Sequence, residues 1–163
     1  MKALYWFRRD RRLADNESLS FASQYQLAPL VIIDGFDSLY PNRAHSLLES
    51  IRSLDKDLDS KLNVSQGKAK EVIPRLVVEM QLEAVFATRA YDTEGMLEQA
   101  EVAEALQQLN IPLKLIGSYY AVTPGTVLKP DGSPYKVYTP FWRAWSKLDI
   151  PKPFSKPKLE LLD

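Results

Sequence analysis

Two stretches of the chain carry residues whose types and spacing could do chemistry. The first is Arg8-Arg9-Asp10-Arg11-Arg12, which follows directly on the apolar run Ala3 to Phe7 and is itself followed by Asp15 and Asn16. It sets a dense group of hydrogen-bond donors at the end of a strand, the edge where ligands and partner surfaces gather in open α/β sheets. A solvated loop is the plainer reading of the same residues. The second stretch is Tyr138-Thr-Pro-Phe-Trp-Arg-Ala-Trp145, with Tyr135 just before it. Large aromatics with an interleaved arginine suit a core plug, an interface anchor or a stacking platform, with core or intramolecular interface favoured.

Other constellations lead nowhere. Asp55, Asp57 and Asp59 belong to the outer face of a helix and read as solvated charge. His45 is the single histidine and there is no cysteine, which excludes imidazole-rich and thiolate metal sites, disulfides and a thiol nucleophile. His45 lies near a helix start and not at a strand end, so Ser-His-Asp chemistry has no support. The six glycines are isolated, and no Gly-x-Gly-x-x-Gly or Walker-type loop follows a strand. Nothing in the residues themselves supports catalysis by this chain alone.

The elements that must position the two stretches follow from periodicity. Ala3–Phe7 reads as a strand covered on both faces. Asp15 or Asn16 caps a helix with Leu19, Phe21 and Ala22 inward, ending near Gln26. Leu30–Ile33 is a second buried strand, and 34 to 42 a loop. From Arg43 the stripe Leu47, Ile51, Leu54 and Leu58 marks a helix. Leu62–Gln66, more polar, suits a strand at the sheet edge. Glu71–Met80 is a helix with Val72, Leu76 and Met80 aligned and Pro74 near its first turn. Ala84–Ala87 is a strand. Asp92 or Thr93 then caps a helix with Met96, Ala100, Ala103 and Leu106 inward, and Leu113–Ile116 is the last strand. Five alternations of strand and helix predict a doubly wound, Rossmann-like α/β fold. Its five-stranded parallel sheet has the order 3-2-1-4-5 and helices on both faces. That order centres the opening strand and hangs residues 8–12 and 88–95 over the topological switch point.

Residues 1–117 form this core. Residues 118–148 read as a segment packing on it with a short helix, and 149–163 as the start of an interdomain linker, with three of the eleven prolines at 151, 153 and 157. The chain therefore reads as cut at a linker. Its 163 residues balance 21 Lys and Arg against 21 Asp and Glu, which argues against a strong nucleic-acid binder. No run approaches membrane-spanning length and no signal peptide is evident, so the cytoplasm is the expected compartment.

Taken together, the two stretches resemble the DNA photolyase/cryptochrome family. Leu4-Tyr-Trp-Phe-Arg-Arg-Asp-Arg-Arg-Leu-Ala-Asp-Asn16 is similar to that family's opening Trp-Phe-Arg-x-Asp-Leu-Arg-x-x-Asp-Asn. Leu47-Leu-Glu-Ser-Ile-x-x-Leu54 is similar to its second helix, and Tyr135–Trp145 to its Pro-Tyr-x-Val-Phe/Tyr-Thr-Pro-Phe-x-x-x-Trp segment. The resemblance implies the N-terminal, antenna-type α/β domain of a light-dependent DNA-repair flavoprotein. In such proteins a following helical domain holds FAD and damaged DNA. Excited, reduced FAD passes an electron to a cyclobutane pyrimidine dimer flipped out of the duplex. A cryptochrome-type receptor is the alternative, as is a stand-alone flavin- or nucleotide-binding α/β module.

The resemblance implies several residue roles. Arg8, Asp10, Arg11, Asp15 and Asn16 become a structural junction with Tyr138, Phe141, Trp142 and Trp145. Asp34, Phe36, Arg43, Tyr91, Asp92 and Glu94 become the candidates for lining an antenna pocket. The family's folate-type Tyr-Glu-x-Asn-Glu loop is not matched: Tyr91-Asp-Thr-Glu-Gly95 puts Glu94 and Gly95 where Asn and Glu would stand. The deazaflavin-type helix start is replaced by Met96-Leu-Glu-Gln99. The expectation is FAD bound by an absent helical domain, no metal, an antenna unsupported by motif, and a chain that is monomeric and inactive on its own.

Overall fold

The computed structural model describes residues 1–36 and 39–162. Its strands are β1 (Lys2–Phe7), β2 (Gln26–Ile33), β3 (Asn63–Gln66), β4 (Ala84–Thr88), β5 (Leu113–Ile116) and β6 (Glu160–Leu161). Its helices are α1 (Glu17–Ala22), α2 (Pro41–Asp57), α3 (Ala69–Glu79), α4 (Thr93–Gln107) and α5 (Tyr138–Trp145). The five main strands run in the order β3-β2-β1-β4-β5, all parallel, with β1 in the middle. Alternation along β1 divides the core. Ala3, Tyr5 and Phe7 pack with Leu19, Ile51, Leu54 and Leu58 on the face of α1 and α2. Leu4 and Trp6 pack with Ile73, Val77, Val102 and Leu106 on the face of α3 and α4. Burial on both faces explains why β1 reads as an unbroken apolar run.

Several boundaries differ from the sequence expectation, each for a physical reason. β2 begins at Gln26, not Leu30, because Pro29 lies inside the strand. The β2–β3 ladder covers Leu30–Ile33 and the β2–β6 ladder Gln26–Leu27. Pro29 falls between the two, where its missing N–H leaves no ladder bond unmade. That early start also shortens α1, which ends at Ala22, and Phe21 is 51% exposed instead of facing inward. Helix α2 begins at Pro41, with proline at its first turn. Helix α3 begins at Ala69, which leaves Pro74 inside the helix rather than near its start, and buries Val72, Ile73 and Val77. Leu76 and Met80 are only partly covered.

The largest correction is in α4. Its buried line is Gly95, Gln99, Val102 and Leu106, while the expected Met96 is 52% exposed. Hydropathy points to Met and Ala, but the inward positions are held by a glycine that permits close approach and a glutamine that bonds backbone. Leu106→Ala should therefore cost about 2–5 kcal/mol in urea unfolding, and Met96→Ser should stay within about 0.5 kcal/mol.

Beyond β5 the chain leaves the sheet. Helix α5 forms where expected, but none of its residues is buried, so it is no core plug. Residues 149–158 carry neither helix nor strand. The chain then docks back, where a free linker would not: β6 pairs in parallel with the first residues of β2, and Leu161 and Leu162 pack against the two cores. The sheet thus has six strands, not five. No helix among the described residues is long and apolar enough to cross a membrane.

Candidate functional site at the carboxyl edge of the sheet

The charged run after β1 is consumed by specific partners. Asp10 is 8% exposed. Its carboxylate accepts from the Arg8 backbone N–H at 3.2 Å, from the Asn16 amide at 3.2 Å and from the Thr88 hydroxyl on β4. Asn16 Oδ1 accepts in turn from the Tyr5 hydroxyl at 2.8 Å and from the Leu19 N–H at 3.0 Å, which caps α1. Asp15 takes the left-handed conformation, φ 50°, that turns the chain into that cap. Arg11 donates to the Arg8 carbonyl at 2.8 Å and to Ser50 of α2 at 3.0 Å. Arg12 closes on Asp15 at 3.0 Å. The run therefore binds β1 to α1, α2 and β4.

Its reach towards α5 is different from the expectation. Among the described residues, none of the cluster's hydrogen bonds goes to Tyr138, Phe141, Trp142 or Trp145. The later chain is held instead by the Asp15 N–H, which donates to the Phe154 carbonyl at 2.7 Å. Tyr119 adds a second tie, its hydroxyl donating to the Thr88 carbonyl at 3.3 Å.

Arg8 turns the other way, to the face of α3 and α4. Its guanidinium lies 4.5 Å from the centre of the Trp6 ring, donates to the Gly95 carbonyl at 3.0 Å and pairs with Glu98. These contacts form one wall of a cleft of about 360 Å³ over Trp6, between the ends of β1 and β2 and the first turns of α3 and α4. Gln99 braces the same wall: its side chain accepts from the Ala90 N–H at 3.1 Å and donates to the Ala90 carbonyl at 3.4 Å. Around the mouth, Arg9 pairs with Asp92 at 3.2 Å, Lys68 with Asp34 at 2.7 Å and Lys70 with Glu101 at 2.9 Å. The Gly95 N–H at the start of α4 holds the Asp92 carboxyl below its ordinary range, with Arg9 adding to the effect. Such a site can receive a partly apolar ligand, but its four cations are each already paired with a carboxylate. No group of three or more metal-ligating side chains occurs among the described residues.

Of the six expected pocket residues, Asp34, Asp92 and Glu94 share this cleft. Tyr91 does not line it. Phe36 belongs to a separate apolar hollow with Leu48 and Val64, and Arg43 is exposed on α2. Sequence reasoning missed Lys68, Lys70, Glu98, Glu101 and Tyr119. Lys68 and Lys70 follow Gly67 at the end of β3, and the rule that ligands gather at strand ends would have singled them out.

Two tyrosines near this edge resist ionisation. Burial, with Asp10 adding, raises Tyr5. Burial pushes Tyr119 up to about 12 from an ordinary 10.0. Between those two pH values the unfolded chain loses the Tyr119 proton and the folded chain keeps it, so this contribution to stability is present below pH 10 and lost as pH rises towards 12. A phenolate absorbance titration should show two of the eight tyrosines ionising late, with the urea midpoint falling over the same interval.

A doubly wound α/β domain with a charged, tryptophan-floored cleft at its carboxyl edge is the class defined by this geometry. Comparison narrows it. The family model described as DNA photolyase matches residues 3–158, and the chain belongs to that family, corresponding to its N-terminal domain. It is 31% identical over 170 residues to the deoxyribodipyrimidine photo-lyase of a Synechococcus species, which covers 98% of this chain and 35% of the relative. It is also 31% identical to the cryptochrome DASH of Gloeobacter violaceus, over 82% of this chain and 28% of that protein. A bacterial class III photolyase from Agrobacterium tumefaciens superposes with a TM-score of 0.86 at 28% identity, over 96% of this chain and 34% of that one. An archaeal photolyase from Sulfolobus tokodaii, described as holding two FAD molecules, shares the fold with a TM-score of 0.81 at 22% identity. The chain spans about a third of the length of the photolyases it matches.

Proposed function

We propose that this chain is the scaffolding and light-harvesting domain of a cytoplasmic, FAD-containing deoxyribodipyrimidine photolyase that repairs cyclobutane pyrimidine dimers. The observation that carries the reading is the cleft over Trp6, a preformed ligand space at the switch-point edge in a chain that belongs to the photolyase family. The chain's own side chains supply no reaction. Every arginine of the opening run is committed to a partner, and its buried carboxylate is occupied by donors. FAD and damaged DNA are assigned to the further two-thirds of a photolyase's length, where excited, reduced FAD would supply the electron. An antenna in the cleft would absorb light and pass the energy on.

The residues do not fit a folate antenna. Gly95 offers no carboxylate, and a Cβ there would lie 2.6 Å from that of Ala90. A flavin or deazaflavin suits the cleft better. Its floor is apolar, and its paired charges leave no strong anion anchor, which predicts weak binding.

Titrating the isolated chain with FAD, a deazaflavin and methenyltetrahydrofolate, followed by ligand fluorescence, tests this. Flavin-type ligands should bind with Kd on the order of 10 μM, folate should not bind, and Leu97→Trp at the mouth should abolish the signal. FAD retained stoichiometrically through gel filtration would defeat the reading and favour a stand-alone flavin module. A cryptochrome-type receptor is the second reading, supported by the likeness to cryptochrome DASH. Repair of a dimer-containing oligonucleotide under blue light by the full-length protein would decide against it.

A further inference from the structure

A second hollow, also of about 360 Å³, shares Tyr119 with the cleft over Trp6 but opens elsewhere. Three pieces of chain enclose it: the stretch from Arg12 to Glu17, the stretch from Ser118 to Thr123 after β5, and the strap from Ile150 to Phe154. The strap carries neither helix nor strand, yet it is pinned at two points. The Asp15 N–H donates to the Phe154 carbonyl at 2.7 Å, and a few residues later β6 pairs with the start of β2. The hollow is complete only while this strap is docked.

Its charges differ from those of the cleft, where each cation already has a carboxylate. Arg12 and Asp15 pair with each other at 3.0 Å. Glu17 and Lys152 enter no ion pair and no side-chain hydrogen bond among the described residues. Glu17 is partly buried and closely seated: Gly117, at φ 68°, approaches so near that a Cβ there would lie 2.8 Å from Glu17 Oε2. Lys152 stands exposed on the strap. Rings complete the lining, from Tyr119, Tyr120 and Phe154, and Tyr119 is fixed by its hydrogen bond to the Thr88 carbonyl at 3.3 Å.

An unpaired charge at a protein surface is ordinary. One of each sign, on separate walls of a single aromatic-lined hollow, selects a ligand that carries both. A phosphate would meet Asp15 and Glu17 as well as Lys152. A metal ion would lack ligands, since no group of three or more suitable side chains occurs among the described residues. A wholly apolar molecule would leave both charges unused. An ammonium group can donate to the Glu17 carboxylate while a carboxylate accepts from Lys152, with an apolar body against the rings.

We propose that this hollow binds a small zwitterion with an aromatic body, the chemistry of a free aromatic α-amino acid. The site does not depend on what occupies the cleft over Trp6. Its ligand touches both the core and the strap, so binding also clamps the strap in place.

Equilibrium dialysis of the chain against L-tryptophan, tryptamine, N-acetyl-L-tryptophan and indole tests this. L-Tryptophan should bind with Kd on the order of 100 μM. Tryptamine, which lacks the carboxylate, and the N-acetyl compound, which lacks the ammonium, should each bind about tenfold more weakly, and indole more weakly still. Glu17→Gln should weaken L-tryptophan about tenfold and leave the N-acetyl compound unchanged; Lys152→Gln should do the same to L-tryptophan and leave tryptamine unchanged. Should Glu17→Gln fail to fold, Lys152→Gln on the exposed strap supplies the comparison alone. At ten times Kd, L-tryptophan should slow amide exchange at Asp15 and Leu162, whose bonds to Phe154 and Leu27 hold the strap, by about tenfold. Indole binding as tightly as L-tryptophan overturns the proposal, as does no binding of any probe, or an equal loss of all four probes on either substitution. Neither variant should change flavin fluorescence titrations of the cleft, so the two assignments fail separately.

Discussion

Asp10→Ala should lower the unfolding free energy of this domain by about 3–5 kcal/mol. The carboxylate is buried and accepts from four groups: the Thr88 hydroxyl on β4, the Asn16 amide at the cap of α1, the Arg8 N–H at the end of β1 and, at 3.4 Å, the Tyr5 hydroxyl. Removing it takes the acceptor from the Thr88, Asn16 and Arg8 donors, each at about 1–3 kcal/mol, while the Tyr5 hydroxyl keeps Asn16 Oδ1. Asn16 also holds the Tyr5 hydroxyl, so its reorientation loosens the central strand as well. Against a total of about 5–15 kcal/mol for a domain, such a loss should move the urea midpoint by about 2 M. Asp10→Asn keeps the shape and one acceptor oxygen, and should cost about half as much. An Asp10→Ala midpoint within error of the parent would show that the cluster is mere surface charge.

Gly95→Ala should cost about 2–3 kcal/mol by overpacking and, on the function proposed above, weaken the binding of a flavin-type ligand in the cleft at the same time. An added Cβ would sit 2.6 Å from Ala90 Cβ, 3.1 Å from Asp92 Oδ2 and 3.3 Å from Arg8 Nη2, where carbon atoms prefer about 3.5–4.0 Å. The lip cannot yield cheaply. Asp92 caps α4 through the Gly95 N–H at 3.0 Å, and Gln99 clamps Ala90 from the next turn. Relief must come from moving the start of α4 away from Arg8, which withdraws the Gly95 carbonyl from the guanidinium and disturbs its stacking on Trp6. Glu94→Gln, one residue earlier and exposed, should leave stability within about 0.5 kcal/mol. Equal effects of the two substitutions would remove the close-packing argument. The same geometry rules out restoring a folate carboxylate by Gly95→Glu, because the Cβ itself has no room.

Much of this was legible without coordinates. The alternation of apolar strands with periodic helices, the buried character of β1, the polar edge strand and the order of the sheet all follow from local patterns and from the handedness of crossovers. The helix over Tyr138–Trp145 and the family motif at both ends are equally local, whereas of the six pocket candidates that the resemblance implied only Asp34, Asp92 and Glu94 line the cleft. Three things were not legible, and for one reason. The inward line of α4 runs through Gly95 and Gln99, whose value lies in what they touch, not in their hydropathy. Arg8 and Arg9 of the opening run look like free donors until Gly95, Glu98 and Asp92, some 80 or 90 residues distant, engage them. Pro29 reads as a boundary until β3 and β6 are seen to stop on either side of it. The sequence determined which elements exist and that β1 ends in charge at the sheet's centre. Only the tertiary structure decided that this charge is spent holding the domain together and that the aromatics of α5 are left uncovered. Periodicity reports how a residue relates to its own helix or strand, and pairing and burial depend on contacts between elements far apart in the chain.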